Sequence, residues 1–143
     1  MTHVTRETVV HQPADVVYAS LTTPSERAKW QSSFEEEPLP GALAIGTRIR
    51  AKRRGSTSGS TYEFVVTGLV ANARLAMDAY RNGQCVALTA FELEPDARGT
   101  RVRSQAEIKL SGLQRMLAPL VTAEMEKRME TELAALKRHA EGA

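Results

Sequence analysis

A chain of 143 residues with one cysteine, Cys85, cannot close an internal disulfide, so packing alone must hold its fold. That points to a reducing, cytoplasmic setting. Cys85 sits inside a strand-like pattern, where it reads as a small buried hydrophobe rather than a nucleophile. No stretch approaches the roughly 20 continuous apolar residues that a bilayer span needs. The opening residues, 1–13, also lack the basic-then-apolar order of a secretory signal. Charge of one sign is scarce too: a net +2 is too mild to demand a polyanionic partner. His3, His11 and His139 stand near the chain ends at no metal-ligand spacing, so no metal is expected. Neither a phosphate-binding loop, nor a dinucleotide fingerprint, nor a nucleophile-elbow motif is present, and no cofactor is expected.

What remains is an ordinary globular composition, 42% hydrophobic and 25% charged, of a size that suits one domain spanning residues 1–143. Val4 to Val10 are rich in β-branched residues and end at Pro13, giving an opening strand. Val17, Tyr18 and Leu21 then fall at helical spacing, and Thr23-Pro24-Ser25-Glu26 begins a second short helix toward Trp30. From Phe34 the signals turn to strands. Tyr62, Phe64 and Val66 alternate with polar neighbours, as do Leu75 and Met77, and a hairpin turn is expected over Gly55 to Ser60. Two more strands, residues 84–93 and 100–110, are joined by the turn-forming run from Glu94 to Gly99.

A long helix is expected from Ser111 to about His139. Its apolar stripe runs through Leu113, Met116, Leu117, Leu120, Met125, Met129, Leu133 and Leu136, with a kink or break at Pro119. Strands joined by hairpin-length turns exclude a parallel βαβ architecture, so the class is α+β: a curved antiparallel sheet of about seven strands around the C-terminal helix. A bent sheet gripping a helix tends to leave a cavity between them.

Several stretches carry a family resemblance over nearly the whole chain. They are residues 10–17 after the first strand, Leu21-Thr22-Thr23-Pro24 leading to Trp30, and Gly46-Thr47-Arg48-Ile49 opening a strand. Phe91-Glu92-Leu93-Glu94 leading to Gly99-Thr100-Arg101-Val102, and the terminal Leu133-Ala134-Ala135-Leu136-Lys137, complete the set. With these residues the chain resembles the polyketide cyclase/dehydrase and lipid-transport (SRPBCC-type) group of the START-like, helix-grip superfamily. That superfamily also holds birch-pollen-allergen-type proteins and activators of the Hsp90 ATPase. The resemblance implies a helix-grip fold with an internal pocket and carriage of a small hydrophobic or aromatic ligand. It equally admits a cyclase/aromatase-like enzyme using the same pocket, or a protein-interaction module resembling the Hsp90-ATPase activators.

The inward faces inferred above nominate the ligand-binding residues. From the helices and strands these are Trp30, Phe34, Tyr62, Phe64, Val66, Met77 and Phe91, and from the start of the long helix Leu113, Met116, Leu117 and Leu120. A closed core built from the same residues is the alternative. No catalytic residue stands out. The run Arg48 to Arg54 places Arg48, Arg50 and Lys52 on one strand face, where a solvated convex surface is the expected role. It lacks the interleaved aromatics that nucleic-acid binding would want. Homodimerisation through edge strands or the helix is left open, and no membrane insertion is expected.

Overall fold

The computed structural model describes residues 2–55 and 60–142. Strand β1 (Thr2–Val10) leads into two short helices, α1 (Ala14–Thr22) and α2 (Pro24–Trp30). Six strands follow: β2 (Phe34–Glu36), β3 (Arg48–Arg53), β4 (Thr61–Val70), β5 (Arg74–Arg81), β6 (Gln84–Asp96) and β7 (Gly99–Ile108). A 3-10 turn over Gly112–Leu117 then precedes the long helix α3 (Ala118–Ala140). The hairpin turn expected over Gly55 to Ser60 lies, for residues 56–59, outside the described residues.

Proline sets the helix boundaries. Pro13 is the N-cap residue of α1, and Pro24 opens α2, where its missing N–H costs nothing. The same rule relocates the start of the long helix. Instead of kinking a helix that begins at Ser111, Pro119 stands in the first turn of α3, and the preceding residues wind as a separate 3-10 segment. Gln114 holds that segment's start by accepting a hydrogen bond from the Ser111 N–H at 3.3 Å.

The strands form one sheet in the order β1-β7-β6-β5-β4-β3-β2, with antiparallel neighbours throughout. Alternation decides the faces. In β7, Thr100, Val102, Ser104, Ala106 and Ile108 are buried and the residues between them are partly exposed. In β3, Ile49 and Ala51 point in while Arg48, Arg50 and Lys52 point out, and Arg48 pairs with Glu63 of β4 at 2.6 Å. The β4–β5 ladder slips between Val66 and Gly68, and the β5–β6 ladder slips between Ala79 and Tyr80; such bulges bend a sheet. The turn between β6 and β7 is tighter than expected. β6 runs on to Asp96, which accepts the Arg98 N–H at 3.0 Å, and Gly99 takes φ 145° where a Cβ would lie 2.3 Å from the Val10 carbonyl oxygen.

The curl shows in what α3 touches. Arg6 of β1, at one end of the strand order, pairs with Glu126 and Glu130, while Arg53 of β3, near the other end, pairs with Glu124 of the same helix. The sheet is therefore a half-barrel closed by α3. The C-terminal half of α3 completes the core: Leu133 and Leu136 join a cluster with Val10, Val17 and Leu21. It is also tied down at its end. Lys137 donates to the Val9 carbonyl at 2.6 Å, and His139 lies 2.6 Å from Glu26 of α2, a hydrogen bond that holds the Glu26 carboxyl below the usual range.

Candidate functional site

Between the concave face of the sheet, α2 and the N-terminal half of α3 lies a cavity of about 310 Å³. Its apolar wall is built by strand alternation. Tyr62 and Phe64 come from β4, Met77 and Ala79 from β5, Ala87 and Phe91 from β6, and Ala106 from β7. Small residues on the sheet floor leave the space that larger ones would fill. Phe34 is the hub of the aromatic side: its ring meets Tyr62 at 5.1 Å and Phe64 at 5.0 Å, both edge to face. From the helix, Val121 and Met125 complete the apolar lining.

The polar wall carries two charged groups of opposite condition. Arg27 of α2 is 1% exposed, and all three of its nitrogens are used. Its Nε and Nη2 donate to Glu36 at 3.0 and 2.8 Å, and its Nη1 donates to the Leu21 carbonyl at 2.9 Å. This bidentate pair welds α1, α2 and β2 together at the closed end of the cavity. Arg128 of α3 is different. Its Cζ lies 5.7 Å from the centre of the Phe34 ring, and its Nε is buried with no hydrogen-bond partner among the described residues. Burial first, and then the like charge of Arg53, push the pKa of Arg128 down, although an arginine remains cationic at neutral pH.

Glu132, one helical turn beyond Arg128, also lines the cavity. Burial pushes its carboxyl above the ordinary range, against the hydrogen bonding of Gln31 and Ser33 and the charges of Arg128 and Arg27. The exposed lining residues Arg81, Lys109, Gln114 and Glu124 mark the mouth. The arrangement can desolvate an apolar body, meet a charged or hydrogen-bonding head with Arg128, and hold a proton on Glu132. Among the described residues no cluster of His, Cys, Asp and Glu is arranged to hold a metal ion, and no helix is long and apolar enough to cross a membrane.

Of the residues nominated from the sequence, the cavity brings together Phe34, Tyr62, Phe64, Met77 and Phe91. Trp30 and Val66 are buried at 3% and 1% exposure but are not part of its wall. The Trp30 indole N–H donates instead to the Ser20 carbonyl at 2.7 Å, and its ring packs edge-on to Phe91. The inward placement of Leu113, Met116, Leu117 and Leu120 is corrected. They are 79%, 78%, 53% and 69% exposed, because the 3-10 segment turns three residues per turn and the helix proper starts only at Ala118.

The residues missed include apolar ones, Ala79, Ala87, Ala106, Val121 and Met125, and the charged wall: Arg27, Glu36, Arg53, Arg128 and Glu132. A signal for two of them was present. Val121, Met125, Arg128 and Glu132 share one helical face at spacings of four, three and four, so a stripe judged by apolar residues alone skips its charged members.

Solved structures share this architecture. The chain is similar to protein MLL2253 from Mesorhizobium loti, with a TM-score of 0.75 at 16% identity, covering 99% of this chain and 98% of that one. It is similar to the Aha1 dimer from Colwellia psychrerythraea, with a TM-score of 0.74 at 21% identity over 99% and 97%. DynU16, a protein of the dynemicin biosynthetic locus, matches with a TM-score of 0.73 at 16% identity over 97% of this chain. The chain spans about half of DynU16's length, 47%. At such identities the likeness establishes the helix-grip fold alone. No curated protein matches the chain in sequence. Residues 1–141 do match the sequence model of one family, and the chain belongs to it: polyketide cyclase / dehydrase and lipid transport.

Proposed function

We propose that the whole chain, residues 1–143, acts as one domain that binds a small apolar or aromatic molecule in the cavity between sheet and helix. The observation that carries this reading is the cavity itself: about 310 Å³, with an apolar wall of Phe34, Tyr62, Phe64, Met77 and Phe91 facing a polar one. Binding would be driven by removing the ligand's apolar surface from water, and the isolated polar groups would set its orientation. Family membership agrees with this and leaves the ligand's identity to experiment.

The test is to fill the space. Met125 lines the cavity from a half-buried helical position, so Met125→Trp should occupy it without disturbing the sheet. Binding of the fluorescent apolar amine N-phenyl-1-naphthylamine should weaken by about tenfold or more, since even one methylene of misfit is felt in a packed site. Circular dichroism should stay native. An unchanged affinity in a folded Met125→Trp protein would remove the cavity from consideration.

A second reading, self-association, has its own observation. Leu113, Met116, Leu117 and Leu120 form an exposed apolar rim beside the cavity mouth, and such patches mark interaction surfaces. The structural neighbour from Colwellia psychrerythraea is itself a dimer. Under this reading the native chain sediments as a dimer, and Leu113→Asp with Leu120→Asp returns it to a monomer. A monomer at high micromolar concentration disposes of it.

A further inference from the structure

Among the charged groups of the described residues that face the cavity, one cation lacks a partner for a buried donor. Five cationic side chains line the space, Arg27, Arg53, Arg81, Lys109 and Arg128, against three carboxyl groups, Glu36, Glu124 and Glu132. Arg27 is matched to Glu36 and Arg53 to Glu124. Arg81 lies at the exposed mouth, donating to Ser60 at 3.3 Å and covering the Tyr62 ring at 5.9 Å. Lys109 is exposed at the same mouth, which leaves Arg128 with a buried, unpaired Nε, its Cζ over the Phe34 ring, and a second guanidinium, Arg53, whose repulsion opposes the attraction of Glu132 and Glu124. A buried donor without an acceptor is costly, and a guanidinium held against a like charge is poised for an anion. Its guanidinium group stands in a wall that also carries Phe34, Phe64 and Met77.

We propose that the ligand is an organic anion: an apolar or aromatic body ending in a carboxylate, whose oxygens accept from the Arg128 guanidinium while Arg53 supplies the second positive charge. This rests on the reading of the cavity as a ligand site and adds its chemistry. The body fills the space against Phe34, Phe64 and Met77. The carboxylate lies toward α3 and neutralises the surplus positive charge of the lining. A planar carboxylate suits a planar guanidinium, whose geometry a lysine does not reproduce.

The experiment uses displacement of N-phenyl-1-naphthylamine from the full chain by decanoate and by 1-decanol, which differ only in the head group. Decanoate should displace the dye at about tenfold lower concentration than decanol, the usual advantage of a charge-assisted hydrogen bond. Equal potency, or a decanol advantage, overturns the proposal in the native protein and needs no variant. In Arg128→Gln the ratio of decanol to decanoate displacing concentrations should fall to about one, and a preference that persists also overturns it. Failure of the cavity reading looks different: the dye itself would not bind, or would be indifferent to Met125→Trp, and both readings would then fall together.

Discussion

Two arginines face the same cavity, and their surroundings could hardly differ more. Arg27 reaches it from the short helix α2 with three nitrogens engaged, a carboxylate opposite and a tryptophan face 5.4 Å from its Cζ. Arg128 reaches it from α3 with a ring beneath it and an idle donor. The first is what a folded chain does when it must bury a charge: it gives each nitrogen an internal partner, so no ligand is needed to complete the group. The second leaves a buried donor unmet in a side chain that lines the cavity. Burial of charge alone does not distinguish the two arginines, whereas the state of their hydrogen bonds does.

The largest expected effect follows from removing the satisfied one. Arg27→Met leaves Glu36 desolvated without its cation and frees the Leu21 carbonyl, and breaking a buried pair in this way costs about 3–5 kcal/mol. Urea denaturation should show that loss as a lower midpoint with an unchanged slope. Arg128→Met should behave in the opposite manner. It replaces a guanidinium with an unmet donor by a thioether that packs on Phe34, so stability should change by no more than about 1 kcal/mol in either direction. If both variants lost several kcal/mol, the two arginines would be equivalent supports and the contrast would collapse.

How much of this was legible follows the same division. Strand alternation located Phe34, Tyr62, Phe64, Met77 and Phe91, because a sheet with one wet face sorts its side chains with a period of two. The family motifs, spread from Val10 to Lys137, marked the helix-grip fold. What the pattern could not show was where α3 begins. A helical stripe drawn through Leu113 and Leu120 has the same spacing as one through Leu133 and Leu136, yet only the second pair meets the sheet, at 3% and 0% exposure. Spacing records which residues share a face, not whether a partner stands opposite it. The charged wall was hidden for a different reason: Arg27 and Glu36 are nine residues apart and pair only because α2 folds back over β2. Arg53 belongs to the basic run Arg48 to Arg54, in which Arg48, Arg50 and Lys52 lie on the outer face.

The smallest effect, and the most discriminating about the cavity wall, belongs to the carboxyls. Glu36 has its cation, while Glu132 is pushed above the ordinary carboxyl value of 4.5, with burial as the main cause. The folded chain therefore keeps a proton on Glu132 at pH values where the unfolded chain has released it. Stability held by that protonated form is complete below 4.5 and is lost as the pH rises through the raised value. Glu132→Gln keeps the shape and removes the titration, so the variant should melt at the same temperature as the native protein near pH 4 and at a higher one near pH 8. Carboxylates pulled below their ordinary values, Glu26, Asp96, Glu124 and Glu141 among them, lower the stability of both proteins together as acid is added. The difference between the two melting curves thus isolates Glu132. A difference that shrank with rising pH would mean that the carboxylate is welcomed by Arg128, in which case the guanidinium is already engaged from within and has less to offer a ligand.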